Sequence, residues 1–286
     1  SARVNPDAEH RLYTNVDAVP DVEGFDTGAF LARLGVETVV LPYAMRPPAG
    51  YFGAWANQFY VLDVTAHLAE TIGPDDVGIL LDSDCVFTRP VGPLADAARE
   101  HGALTFDARI GPDEEQNGLT PREMGRIYQS LGGGSGDGAD PIPAYVGGEI
   151  VAEARAVWPE MLRRHRAGLP KFNEEAHLLS YVYHRLGYPV GTADPFIDRM
   201  FTWFTGATVA PGHADMMIWH LPNEKRLGLR RLFRAVADDA SWFWTMPTDA
   251  PWRRRLGQTL GVPGRTPTKW VLDVGRAVRD KLERPG

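Results

Sequence analysis

The chain has 286 residues, 44% of them hydrophobic and 23% charged, a composition that suits one large α/β core or two small domains. Its single cysteine, Cys85, excludes an intramolecular disulfide and a cysteine-built zinc cluster, and fits a reducing cytoplasm. No run approaches the roughly 18 apolar residues that span a bilayer, and the first residues lack the basic-then-apolar pattern of a signal peptide, so we expect a soluble chain with at most peripheral membrane attachment.

The net charge of -7 conceals an asymmetry. Residues 1–224 carry 16 basic and 31 acidic side chains and the remaining residues 14 and 6, so a body of -15 is followed by a tail of +8. Such a tail can face an anionic membrane, a phosphate-bearing ligand or the acidic body of its own chain. Nucleic acid is not expected as a partner, because the basic excess is confined to the tail. We therefore expect a main domain over 1–224 and a basic, helical, aromatic-containing extension over 225–286.

In chain order, Leu12–Thr14, Val36–Leu41 and Val77–Leu81 are short apolar runs alternating with helical patterns, which predicts βα units around a mostly parallel sheet. Phe52, Trp55, Phe59, Leu62, Ala66 and Ala69 recur at spacings of three and four and predict an amphipathic helix. Asn57 and Gln58 fall off that stripe, as solvated residues or as polar contacts at a neighbouring cleft. The glycine-rich stretch from Leu131 to Asp140 cannot hold a regular element and reads as a lid or a surface insertion. Ala144–Ala152 reads as a strand broken by Gly147 and Gly148, where backbone can approach a ligand. Glu174–Leu186 predicts a helix and Met216–His220 a short buried strand. Cationic amphipathic segments follow at Arg226–Val236 and Thr268–Leu282, either side of Trp242-Phe243-Trp244.

The chemistry concentrates at Val77-Gly-Ile-Leu-Leu-Asp82-Ser83-Asp84-Cys-Val-Phe87. The apolar run predicts a strand buried on both faces with two carboxylates at its end, and side chains two apart on a strand point the same way. Asp82 and Asp84 can thus converge on one hard cation, such as the Mn²⁺ or Mg²⁺ that a nucleotide diphosphate needs as Lewis acid. Two aspartates after a strand also make an ordinary turn and helix cap.

At Leu80-Leu-Asp-Ser-Asp-Cys-Val86 the sequence resembles the GT-A glycosyltransferases, particularly the glycogenin and galactinol synthase type. The resemblance covers roughly residues 3–225. It includes Asn5-Pro-Asp-Ala-Glu9 before a strand, Tyr145-Val-Gly-Gly148 near the donor sugar, and Trp219-His220 with Lys225. It implies a GT-A, Rossmann-like fold and a hexosyltransferase moving sugar from a nucleotide-sugar, most readily a UDP-sugar, to a carbohydrate, lipid-linked or small-molecule acceptor with retention of configuration. Asp82, Asp84 and His220 become metal ligands, while Asp82, Ser83, Asp84, Asn57, Gly147, Gly148 and Lys225 contact the donor. Lys225 stands one residue nearer His220 than the family pattern, and Arg226 is an alternative to it. A histidine at a strand end is also commonly a hydrogen-bonded core residue.

Asn173-Glu174-Glu175-Ala-His177 falls where the family has acids opening a helix, so Glu174, Glu175 and Glu149 are catalytic candidates. Acids in a first helical turn are also favoured by the helix dipole alone. The family's first strand and helix, whose loop binds the nucleotide base, have no counterpart in the sequence.

Two other functions compete. Asp82-x-Asp84-x-Val86 also resembles the haloacid-dehalogenase-like phosphatases, with Asp194-Pro-Phe-Ile-Asp198 as a later metal pair. The aromatic, basic tail suits a non-catalytic protein that binds sugar or a lipid surface on a transferase scaffold.

Overall fold

The structure, a computed structural model, describes residues 1–53, 56–73, 75–106, 110–132, 154–187, 190–202, 212, 215–225 and 227–262, with 267, 270, 271, 274, 275 and 278 in the last segment. Its elements in order are β1 (His10–Thr14), α1 (Thr27–Arg33), β2 (Val36–Val40), α2 (Tyr60–Thr71), β3 (Cys85–Phe87), α3 (Gly92–His101), β4 (Leu104–Thr105), α4 (Pro121–Ser130), α5 (Ala154–Arg166), α6 (Glu175–Leu186), β5 (Gly191–Thr192), β6 (Ile197–Arg199), β7 (Ile218–His220), α7 (Gly228–Ala237), α8 (Trp242–Thr245) and α9 (Ala250–Leu260).

The class is α/β. Among the described residues, however, the strands form three small sheets rather than the single central sheet expected. β1 and β2 pair in parallel around α1, β4 pairs in parallel with β5, and β7 lies between antiparallel β3 and parallel β6. The expected strand over Val77–Leu81 is corrected: none of its residues joins a ladder among the described ones. Its apolar character is spent on packing instead, since Ile79 and Leu81 lie against the cluster of Leu94, Leu104, Ala193 and Ile218.

Local chemistry sets the helix ends. Asp26 caps α1 by accepting from the Ala29 amide at 2.8 Å. Thr120 and Glu123 form a reciprocal capping box at α4, with Pro121 in its first turn. α6 stops at Gly187 and α9 at Gly261, both in the left-handed conformation that glycine adopts without strain. The predicted helix from Phe52 begins only at Tyr60, but Phe59 is wholly buried and packs on Tyr51 and Trp158.

A first core joins α2, α4, α5 and α6 through Leu62, Ile127, Met161, Leu178 and their neighbours. A second joins β7 to the C-terminal helices through Trp219, Leu221, Leu232, Trp252 and Leu256, with Val4 packed against it. The basic extension therefore shares its core with the strand that ends in His220. Part of its basic charge meets the acidic body, where Arg230 and Arg234 pair with Glu23; a pair of the opposite sense joins Asp239 of the extension to Arg33 of the body at 2.6 Å. Farther along, Trp270, Val271, Val274 and Val278 are helical and exposed. No helix among the described residues is long and apolar enough to cross a membrane.

Candidate metal and donor site

Asp82, Ser83 and Asp84 occupy a turn ahead of β3, closed by the Cys85 amide donating to the Asp82 carbonyl at 3.0 Å. The two carboxylates therefore do not share one face of a strand, as expected from sequence. Asp82 is 65% exposed and Asp84 only 1%. The turn still aims both at β7: the His220 Nε2 lies 3.3 Å from Asp84 Oδ1 and 3.5 Å from Asp82 Oδ2.

Pairing fixes that approach, because Cys85 stands opposite His220 in the β3–β7 ladder and the Leu221 amide donates to the Asp84 carbonyl at 3.0 Å. Glu224 positions the following residue. It is 2% exposed, accepts from the Thr202 hydroxyl and from the Gly228 amide at 3.2 Å, and so holds the turn that brings Lys225 Nζ to 3.1 Å from Asp84 Oδ2.

The electrostatics of Asp84 follow. Burial alone would raise its carboxyl, but His220 and Lys225 outweigh burial and hold it at about 2. Neither oxygen accepts a well-formed hydrogen bond, though both sit at ion-pair distance from a base. Burial, with the Asp82 and Asp84 charges, pushes the Cys85 thiol up to about 12.

Glu175 opens α6, within electrostatic reach of Asp82. Burial, and then the Glu174 and Asp82 charges, push its carboxyl up to about 8. The Gln58 carboxamide, with its nitrogen turned toward Glu175, lies 3.0 Å from both carboxylate oxygens. Glu174 turns elsewhere, 2% exposed, accepting from the Asn117 amide with His177 at 3.5 Å. Burial lowers His177 to about 4, so it is neutral: Nε2 meets the Gln116 carbonyl at 3.2 Å and Nδ1 accepts from the Asn173 amide. Glu174 and His177 thus tie the α6 start to the loop before α4.

Asn57 is exposed and lines a cleft of about 380 Å³ with Tyr13, Thr14, Asn15, Tyr43 and Tyr60, at the ends of β1 and β2. Tyr43, held at about 12 chiefly by burial, donates to the Ala56 carbonyl, and Gln58, the neighbour of cleft-lining Asn57, contacts Glu175. The fold thus gathers Asp82, Asp84, His220 and Lys225, while Glu175 contacts Gln58 and Glu174 is directed away. Gly147, Gly148, Glu149, Arg226 and most of the glycine-rich stretch lie outside the described residues.

Two carboxylates and an imidazole make a suitable donor set for Mn²⁺ or Mg²⁺. The His220 nitrogen stands 3.3 and 3.5 Å from one oxygen of each carboxylate, but among the described residues the group whose ligand atoms all lie within 4.8 Å of one another is Asp84, Cys85 and His220, without Asp82. Sequence reasoning missed Tyr43 as a neighbour and Cys85 as a member of the cluster. Cys85 carried a signal in adjoining Asp84, whereas Tyr43 carried none. Comparison with protein-family models, with curated proteins and with solved structures finds no match to this chain.

Proposed function

We propose that this protein is a divalent-metal-dependent glycosyltransferase of GT-A type, moving a sugar from a nucleoside diphosphate, UDP by resemblance, to an acceptor hydroxyl. One observation carries the proposal: Asp82, Asp84, His220 and Lys225 come from two separate stretches of chain and meet around the Asp84 carboxylate, with Glu175 close enough to feel the Asp82 charge. Asp82, Asp84 and His220 would hold Mn²⁺ or Mg²⁺, which when bound supplies Lewis-acid stabilisation of charge on the departing diphosphate.

The protein's own groups divide the remaining work. Lys225 is 61% exposed at the end of a flexible stem and can turn its ammonium from Asp84 to a phosphate oxygen. Glu175, whose carboxyl is raised to about 8 by burial and neighbouring acids, keeps its proton at neutral pH and can take the proton of an attacking hydroxyl only as pH rises toward 8. The tyrosine-lined cleft with Asn57 offers aromatic faces and an amide to a planar base. Gly147, Gly148 and Glu149 keep the roles implied by resemblance.

Phosphatase chemistry fits less well. Its second aspartate must hold a proton to give to the leaving group, and Asp84 at about 2 is ionised at working pH. Calorimetric titration of UDP and GDP, with and without Mn²⁺, into wild type and Asp84→Asn tests the proposal. Metal-dependent UDP binding that disappears in the variant is expected. Mg²⁺-dependent hydrolysis of small phosphoesters without nucleotide binding would replace the transferase with the phosphatase, and absence of both would favour the non-catalytic scaffold.

A further inference from the structure

Next to the two carboxylates and the imidazole lies a softer donor that sugar transfer does not use. Cys85 is the chain's one cysteine. It opens β3 directly opposite His220, and the Leu221 amide bond to the Asp84 carbonyl makes Cys85 and His220 a non-hydrogen-bonded pair. That arrangement brings opposed side chains of antiparallel strands closest together. The Cys85 sulfur, an Asp84 oxygen and a His220 ring nitrogen all lie within 4.8 Å of one another. Asp84 is 1% exposed, and its two oxygens have only ion-pair neighbours, His220 at 3.3 Å and the Lys225 ammonium, on a flexible stem, at 3.1 Å.

We infer that Asp84, Cys85 and His220 form a site for a borderline-soft divalent cation, zinc foremost, overlapping the hard-metal set of Asp82, Asp84 and His220. Carboxylate, thiolate and imidazole are each ordinary zinc ligands, and three protein donors are what an open zinc site carries. The thiolate makes the difference, since sulfur favours zinc and cobalt over magnesium and manganese. On binding, the Cys85 S–H bond breaks, a sulfur–metal bond forms and the proton passes to solvent, with no change of oxidation state. Because both sets share Asp84 and His220, zinc displaces manganese rather than adding to it. The site shares residues with the proposed transferase centre but does not depend on sugar transfer.

Titration of the full chain with Co²⁺ as spectroscopic stand-in for zinc tests the inference. A sulfur-to-cobalt absorption band in the near ultraviolet is expected, and with one cysteine in the chain it can come only from Cys85. The band should vanish in Cys85→Ser, persist in Asp82→Asn and weaken in His220→Ala, with circular dichroism confirming that each variant folds. Zn²⁺ should bleach the band and outcompete Mn²⁺ by a margin that shrinks about tenfold in Cys85→Ser. Cobalt binding without the band, or no cobalt binding, would overturn the site. Failure of UDP to bind would instead remove the transferase proposal and leave the cobalt spectrum as it is.

Discussion

Replacing Glu175 with glutamine should make the protein more stable at alkaline pH while changing little at acid pH. The carboxyl is raised from 4.5 to about 8 by burial and by the Glu174 and Asp82 charges. Below pH 4.5 the folded and unfolded chains both keep the proton. Between that point and pH 8 the unfolded chain releases it while the folded chain retains it, so stability falls as pH rises, and above pH 8 the loss is complete. At about 1.36 kcal/mol per pH unit the ceiling is near 5 kcal/mol; the side chain is only half-buried, and solvent screening reduces this to about 2 kcal/mol. Glutamine keeps the size of the side chain and its contact with Gln58 but has no proton to release. Urea unfolding of wild type and Glu175→Gln from pH 5 to 9 isolates the effect, because every other titrating group cancels in the difference. The variant's advantage should grow with pH and level off above pH 8. A constant difference would refute the account of Glu175 as a carboxyl kept protonated by its surroundings.

Two further outcomes follow from other parts of the molecule. His177→Ala strands the Gln116 carbonyl and the Asn173 amide beside buried Glu174; it should cost about 2 kcal/mol in denaturant unfolding while leaving metal-dependent UDP binding measurable. Val271, Val274 and Val278 are 60, 41 and 54% exposed, at the spacing of one helical face, within a tail of +8. Co-sedimentation should show salt-sensitive attachment to phosphatidylserine-containing vesicles, reduced about tenfold when all three become aspartate; equal attachment of the variant would exclude this face as the contact.

Periodicity and composition made several elements legible in advance. α6 and α7 follow the spacing of their apolar residues, and β1 and β2 coincide with the first two apolar runs. Val77–Leu81 misled because an apolar run shows that side chains will be buried but not which backbone will pair with it. The ladder formed instead at Cys85–Phe87, where β7 supplies the partner. Asp82, Asp84, His220 and Lys225 could be singled out from the sequence because carboxylates, an imidazole and an ammonium are chemically conspicuous. Their convergence was not legible from strand alternation, since a turn and an antiparallel pairing produce it. The proximity of Gln58 to Glu175 depends on how Phe59 is anchored in the core, which no local pattern reveals. The charge asymmetry was plain, but its partial compensation through Glu23 appears only once the extension is folded back on the body.

Because the β3–β7 ladder joins segments about half the chain apart, a nascent polypeptide carries Asp82 and Asp84 long before it owns anything to set against them. The cluster first exists when Lys225 has left the ribosome and β7 has docked. Contacts so distant in sequence form late, after their loop-closure entropy has been met. A cation that prefers the assembled cluster would therefore select finished molecules rather than template unfinished ones, and its protection against unfolding would be withheld from any chain interrupted before residue 218.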